Sequence, residues 1–325
     1  MSLRASVAVA TYNGERFIAE QLGSILAQDP PPSEIVVSDD GSRDRTVELV
    51  RSIAATAPAS VPVSVLDRGN LGISKNFERA VTACTGDVVV LCDQDDRWHD
   101  GRLAALVSAL EADPGLALVH TDARLVDEDG RPLGATLLQA LEYSDAERDD
   151  EASGRAFSVL LRRNVVTGAT AAFRRSLLEF ALPFPEEWVH DEWLALIAAA
   201  TAEIRLLDEP TVDYRQHGAN QIGVTVPTLR YKIRRVLESR GDRNRLLARK
   251  FAVLADRLEQ LGDAVPADRV RSAHLKARFE GFRAELPRSR WRRIRPVVSA
   301  ARAGLYGRFA SQGRADMIRD VLQAA

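Results

Sequence analysis

The 325-residue sequence predicts an α/β fold: a mostly parallel sheet flanked by helices over residues 1–226, followed by a helical appendix over residues 227–325. Three observations carry this expectation. Four short apolar runs, three of them followed by segments with helical spacing, occupy residues 6–92, and such alternation implies parallel strands with right-handed crossovers. Each run ends in a loop of Asp, Asn, Thr or Gly. Beyond Pro227 the pattern changes to apolar residues at helical spacing among arginines.

The elements follow in order. Ser6 to Ala10 reads as a buried strand and Thr11-Tyr12-Asn13-Gly14 as a turn, with a helix placing Phe17, Ile18, Leu22, Ile25 and Leu26 on one face before Pro30. Glu34 to Ser38 is the second strand, ending at Asp39-Asp40-Gly41-Ser42, with a helix from about Asp44. Val61 to Leu66 is the third, followed by the glycine-bearing turn to Gly72 and a helix through Phe77 and Val81. The fourth, Asp87 to Cys92, stops at the carboxylates Asp93, Asp95 and Asp96.

In an open α/β sheet the four loops converge at the carboxyl edge, where ligands bind. Closely spaced carboxylates repel one another, and a hard divalent cation with oxygen ligands relieves that repulsion. Hydroxyls, amides, glycine backbone and carboxylates together suit a nucleotide with a metal-bound diphosphate. Ordinary turn chemistry is the plain alternative for each loop taken singly.

Composition narrows the classes. Hydrophobic residues make up 46% of the chain, and no apolar run reaches the roughly 18 residues a membrane-spanning helix needs. The N-terminus lacks a signal peptide's pattern, so a cytoplasmic protein is expected. Cys84 and Cys92 show no metal or redox spacing and read as reduced core thiols. From Leu229 onward there are 24 basic and 10 acidic residues, against 20 and 36 in the remainder. An acidic body with a basic tail points to an anionic partner.

Thr11-Tyr12-Asn13, Asp39-Asp40-Gly41-Ser42, Gly69-Asn70-Leu71-Gly72 and Asp93-Gln94-Asp95-Asp96 resemble, in order and spacing, the motifs of the family 2 glycosyltransferases, over about residues 5 to 225. One departure is Ala10, where many members carry proline. The resemblance implies the Rossmann-like A-type glycosyltransferase fold, an Asp-x-Asp metal motif for Mg²⁺ or Mn²⁺, and inverting transfer of a sugar from a nucleoside-diphosphate donor. It assigns the donor to Thr11, Asn13, Glu15, Asp39, Asp40, Asn70 and Asp93, with Asp40 preferred over Asp39 for the base. It assigns the metal to Asp93, Asp95 and Asp96, and Thr167 and Gly168 to the donor-sugar pocket.

The second half is less regular. Ala117 to Thr121 reads as a strand, Asp122 to Gly134 as hairpin-like, and Leu137 to Ser153 as a mobile acidic loop whose Asp145 to Glu151 run is a solvated surface. His190-Asp191-Glu192-Trp193 opens a helix. Acidic residues there serve as helix-dipole partners, or Asp191 is the base that takes the acceptor proton, with Glu192 in reserve. The resemblance favours Asp191. Arg205 to Pro210 reads as a short strand and turn. The following Tyr214-Arg215-Gln216-His217 looks like a motif of a rhamnosyltransferase-like branch, which implies that His217 contacts metal or diphosphate and Arg215 the leaving group.

By resemblance the expected donor is a dTDP-sugar such as dTDP-rhamnose, or a UDP-sugar; the expected acceptor is a glycan or a lipid-linked saccharide of a surface polysaccharide. In the appendix, Leu229 to Leu261, Val270 to Leu286 and Val297 to Leu322 read as helices, separated near Gly241 and by Pro287 to Pro296, where arginines surround Trp291. This cluster suits an anionic membrane interface, with docking on the body or on a second subunit (a homodimer) as the alternative. No nucleic-acid motif is present. Two rival classes remain: a sugar-1-phosphate nucleotidyltransferase, against which the first loop lacks a glycine-rich triphosphate cradle, and a non-catalytic nucleotide- or sugar-binding module.

Overall fold

The structure is a computed structural model that describes residues 2–67, 69–218 and 241–323. The chain divides into two compact units, residues 1–154 with 165–225, and residues 155–164 with 226–325.

The first unit is built on one sheet. β1 (Ala5–Thr11), β2 (Glu34–Asp39), β3 (Val63–Asp67) and β4 (Val88–Cys92) are parallel in the order β3-β2-β1-β4. Helices α1 (Ile18–Leu26), α2 (Thr46–Thr56) and α3 (Ile73–Ala83) make the crossovers. Every residue of β1 and β4 is buried, as expected of strands covered on both faces. Val7, Val9, Val88 and Val90 pack with Ile18, Leu22 and Ile25 and with Leu103, Leu106 and Leu110 of α4 (Arg102–Ala112).

Beyond β4 the sheet is mixed. The short β5 (Arg97–Trp98) pairs with β9 (Glu203–Arg215), β6 (Leu116–Val126) runs parallel to β9, and β8 (Ala171–Arg174) lies antiparallel between β4 and β6. β7 (Pro132–Thr136) closes the expected hairpin with β6. The segment read as a short strand and turn from Arg205 to Pro210 is instead part of one 13-residue strand, β9. Its partner β6 is long enough to carry it, with register shifts taking up the proline.

The segment Leu137 to Ser153 is not a loop. It forms α5 (Leu137–Ala140) and α6 (Asp145–Asp150), each started by a capping box, Thr136 with Gln139 and Ser144 with Glu147. Residues of α6 are not buried, as a solvated face requires, but Glu151 turns inward. Its carboxylate is hydrogen-bonded to His120 Nε2 at 3.0 Å and accepts from the Tyr143 hydroxyl at 2.6 Å, all three residues being buried.

The second unit takes α7 (Ala156–Arg162) from the middle of the chain. The first unit resumes with α8 (Leu178–Ala181) and α9 (His190–Thr201). The C-terminal helices are α10 (Arg243–Gln260), α11 (Ala267–Ala284), α12 (Arg290–Arg302), α13 (Leu305–Phe309) and α14 (Arg314–Leu322). The helix expected from Leu229 lies, up to residue 240, outside the described residues. Pro287 to Pro296 is not a spacer, because α12 runs through Pro296. The reason is tertiary: Arg293 is buried and donates to the carbonyls of Arg288 and Gln323, which fastens the start of α12 and outweighs the local cost of proline. The helix expected over Val297 to Leu322 breaks into three at Gly304 and Gly313, both at positive φ. Inside this unit Lys276, Glu280, Arg283, Asp316 and Asp320 form a buried charge network, with Arg283 bidentate on Asp320 at 2.7 and 3.1 Å.

Candidate active site

The strand register brings the first three loops level, with Thr11 beside Asp39 and Asp39 beside Asp67. Side chains then lace the loops together. Thr11 Oγ1 donates to Asp39 Oδ2 at 2.8 Å, and Asp39 also accepts the backbone N–H groups of Gly41 and Ser42 at 3.0 and 2.8 Å. Asp40 accepts Leu71 N–H at 2.6 Å and Gly72 N–H at 2.9 Å. Asn13, in the left-handed region at φ 50°, accepts Arg43 N–H at 2.9 Å, and Glu15 accepts Arg45 N–H at 3.0 Å. Asn70 is left-handed too, at φ 74°, directly after Gly69, where a Cβ would stand 2.4 Å from the Gly41 Cα. The residues expected to hold a nucleoside thus shape its loops. Asp39 is buried within that lacing, whereas Asp40 is partly exposed and, with two bonds to two oxygens, retains acceptor capacity.

The acidic turn follows β4. Gln94, not singled out from the sequence, pairs with Tyr12 through both amide atoms at 2.9 and 3.1 Å. It fills the space a Cβ on Gly14 would take, with Oε1 only 2.2 Å from that point. Its position between acidic residues was the available signal. Asp95 Oδ2 lies 2.7 Å from His217 Nε2, and the imidazole packs on Phe17 at 5.0 Å between centroids. Asp96 is buried, with Oδ1 accepting Arg215 N–H at 2.9 Å, while its Oδ2 has no partner among the described residues. Arg215 donates to the Asp95 and Glu128 carbonyls at 2.8 and 3.0 Å and to Glu20 at 2.8 Å. It braces the acidic turn from behind.

The start of α9 forms a second wall. Asp191 Oδ2 accepts Gly168 N–H at 3.0 Å and Oδ1 accepts Glu192 N–H at 2.6 Å. Gly168 starts a 3₁₀ turn, Gly168–Thr170, in which the Thr170 N–H donates to the Thr167 carbonyl at 2.9 Å. A Cβ on Gly168 would meet His190 Nε2 at 2.9 Å. That imidazole stacks on Phe77 at 3.8 Å and is buried, which lowers its pKa to about 3 and keeps it neutral.

Electrostatics ties both walls together. Burial, then the charges of Asp95 and Asp191, push the Asp93 carboxyl up to about 8, and Asp96 is raised for the same kind of reason. Burial and the charges of Asp93, Asp96, Asp95 and Asp191 all raise the Tyr214 phenol. Alternation in β9 places Tyr214 on the other face from Asp213 and Arg215, where it feels the charge of both the acidic turn and Asp191.

Among the described residues no three His, Cys, Asp or Glu side chains stand ready as a closed metal shell. The site nevertheless fits a hard cation. Crowded carboxylates and the orphaned Asp96 oxygen call for positive charge, and Mg²⁺ or Mn²⁺ bound with a diphosphate needs only one or two protein oxygens. A cation between Asp95 and His217 would replace their mutual hydrogen bond.

Residues 6–180 match the family described as Glycosyl transferase family 2. The chain belongs to this family. An uncharacterised glycosyltransferase of Nostoc sp. is 27% identical over 226 residues, covering 67% of this chain and 66% of that one. A dTDP-rhamnosyl transferase of Shigella flexneri, RfbG, is 26% identical over 227 residues, covering 67% and 74%. The chain matches 58 to 66% of the length of its first curated relatives. Among solved structures, S. aureus TarS in complex with UDP-GlcNAc aligns over 98% of this chain and 90% of that one, with a TM-score of 0.56 and 20% identity. The mannosyltransferase PcManGT of Pyrobaculum calidifontis, in complex with GDP-Man and Mn²⁺, aligns over 99% and 86%, with a TM-score of 0.53 and 23% identity. This family 2 chain has the A-type glycosyltransferase fold that the resemblance implies.

Proposed function

We propose that the protein is an inverting, metal-dependent glycosyltransferase that moves a sugar from a nucleoside diphosphate to a hydroxyl of a glycan or lipid-linked acceptor. The observation that carries this is the acidic turn after β4, where Asp95 Oδ2 lies 2.7 Å from His217 Nε2 and Asp96 keeps a buried oxygen without a partner among the described residues, together with Asp191 held by the Gly168 N–H at 3.0 Å. An acidic cluster at the carboxyl edge of a parallel sheet, with Asp96 and Asp191 buried and Asp93 and Asp95 partly exposed, is a costly arrangement that a cationic ligand offsets.

In this reading the loops of Thr11, Asn13, Glu15, Asp39, Asp40 and Asn70 hold the nucleoside, Asp40 reading an N–H edge of the base. Asp93, Asp95, Asp96 and His217 hold Mg²⁺ or Mn²⁺, which when bound neutralises charge on the departing diphosphate. Thr167 and Gly168 line the sugar. Asp191, fixed by two backbone N–H groups, accepts the proton of the acceptor hydroxyl as its oxygen bonds to the anomeric carbon. The bond from that carbon to the phosphate oxygen breaks on the far side, with the electron pair leaving on the nucleoside diphosphate, so the anomeric centre inverts. Arg215 acts by holding the acidic turn, and the conformation of that turn sets where the leaving group sits.

RfbG and the Tyr-Arg-Gln-His segment support a dTDP-rhamnose donor, and a cytoplasmic site of action on a surface polysaccharide follows from such a donor. The neighbours that bind UDP-GlcNAc and GDP-Man keep other donors as outcomes of the test. Replacing Asp191 by Asn is expected to lower turnover about 10²–10⁴-fold, measured as nucleoside diphosphate released, while binding of nucleoside diphosphate with Mn²⁺ is retained. Unchanged turnover would remove Asp191 as the base. Absence of turnover in the wild type with dTDP-, UDP- and GDP-sugars would favour a binding module.

A further inference from the structure

The second unit carries a surface that glycosyl transfer does not use. Between Glu285 and Asp316 the sequence has eight arginines and no acidic residue. The structure sorts them. Arg293 is buried and serves the fold through carbonyl contacts. Arg288, Arg290, Arg292, Arg295 and Arg302 are exposed, and none has an ion-pair partner among the described residues.

Between them α12 exposes an apolar row. Trp291 is 84% exposed, Ile294 38% and Val298 36%, at the spacing of one helical face. Val297 and Ala300 face inward with Arg293, so the helix is pinned from one side and bare on the other. A tryptophan this exposed costs solubility without contributing to the core. Amphipathic helices with Trp and aliphatic residues on the bare face, flanked by arginine, lie in the plane of an anionic lipid surface.

We propose that the Trp291–Ile294–Val298 face of α12 docks on an anionic lipid surface, with Arg288, Arg290, Arg292, Arg295 and Arg302 meeting the headgroups. Charge complementarity selects this occupant. A second copy meeting the same face across a two-fold axis would set arginines against arginines. Nucleic acid would satisfy the arginines but has no use for an aliphatic row. No described helix is long and apolar enough to cross a membrane, so the contact is interfacial. The proposal does not depend on the catalytic reading.

The chain supplies its own reporter. It has four tryptophans, and Trp98, Trp188 and Trp193 are at most 3% exposed, which leaves Trp291 as the one that water reaches. The full chain is mixed with vesicles of phosphatidylcholine, alone or with about one third phosphatidylglycerol. Expected are co-sedimentation with the anionic vesicles only, a blue shift of tryptophan emission, and weakening by salt. Binding should fall about tenfold or more in the combined R290Q, R292Q and R295Q variant, and Trp291→Ala should abolish the blue shift. Failure to bind anionic vesicles overturns the proposal. So does binding that these variants leave unchanged, self-association that Trp291→Ala abolishes without vesicles, or affinity for single- or double-stranded nucleic acid exceeding that for vesicles.

Discussion

Gly168 is the residue whose replacement should separate fold from chemistry most cleanly. Its N–H holds Asp191, and a Cβ there would press on a buried, neutral His190 that is itself stacked on Phe77. Gly168→Ala is expected to cost about 1–3 kcal/mol of stability through overpacking, read as a lowered melting temperature, and to reduce turnover beyond what the unfolded fraction explains. Motifs named these residues but not their duties. Asp39 and Asp40 stand side by side in sequence, yet one is sealed inside hydrogen bonds to Thr11, Gly41 and Ser42, and the other reaches across to Leu71 and Gly72. Arg215 reads as a contact to the leaving group and Arg293 as one of a membrane-facing arginine cluster, and both are buried braces. Partners distant in the chain, such as Glu20 for Arg215, decide this, and single-chain patterning does not show them.

At the scale of elements, β9 is fastened by Asp213, which takes both arms of Arg124 at 2.7 and 2.8 Å and lies 2.8 Å from His99 Nε2. Despite burial, these hydrogen bonds and charges lower its carboxyl to about 2. A folded-state pKa below the unfolded value of about 3.9 means that the stabilisation is complete above pH 4 and is lost as the pH falls toward 2. Wild type should lose about 1–2 kcal/mol more than Asp213→Asn across that window, measured by denaturant unfolding at each pH. The α6 cap offers a second check: Ser144→Ala should cost about 0.5–2 kcal/mol, because the hydroxyl accepts Glu147 N–H in a reciprocal box. That Ser-x-x-Glu pattern was legible in the sequence. The run of acidic residues after it masked the helix, and the burial of Glu151 against His120 and Tyr143 had no local signature.

At the scale of the whole molecule, the parallel half with its four loops was legible because β-branched runs and turn residues alternate without exception from β1 to β4. The mixed half was legible in part: Ala117 to Thr121 reads as a strand and lies in β6, and its hairpin is β7, but β5 has two residues, too few for any periodicity, and β9 runs well past the short strand expected from Arg205. The same half supplies Asp191, Tyr214 and His217, so recognising the site from sequence depended on motif order more than on strand pattern. The central claim is that loops from both halves form one metal-dependent nucleotide site. It is tested most directly by the melting temperature of the protein with dTDP, UDP or GDP, each with and without Mn²⁺. A ligand at about a hundred times its dissociation constant stabilises the folded state by about 2.7 kcal/mol. We predict a clear rise with one nucleoside diphosphate that disappears when Mn²⁺ is withheld. No rise with any of the three, in folded protein, would contradict the account.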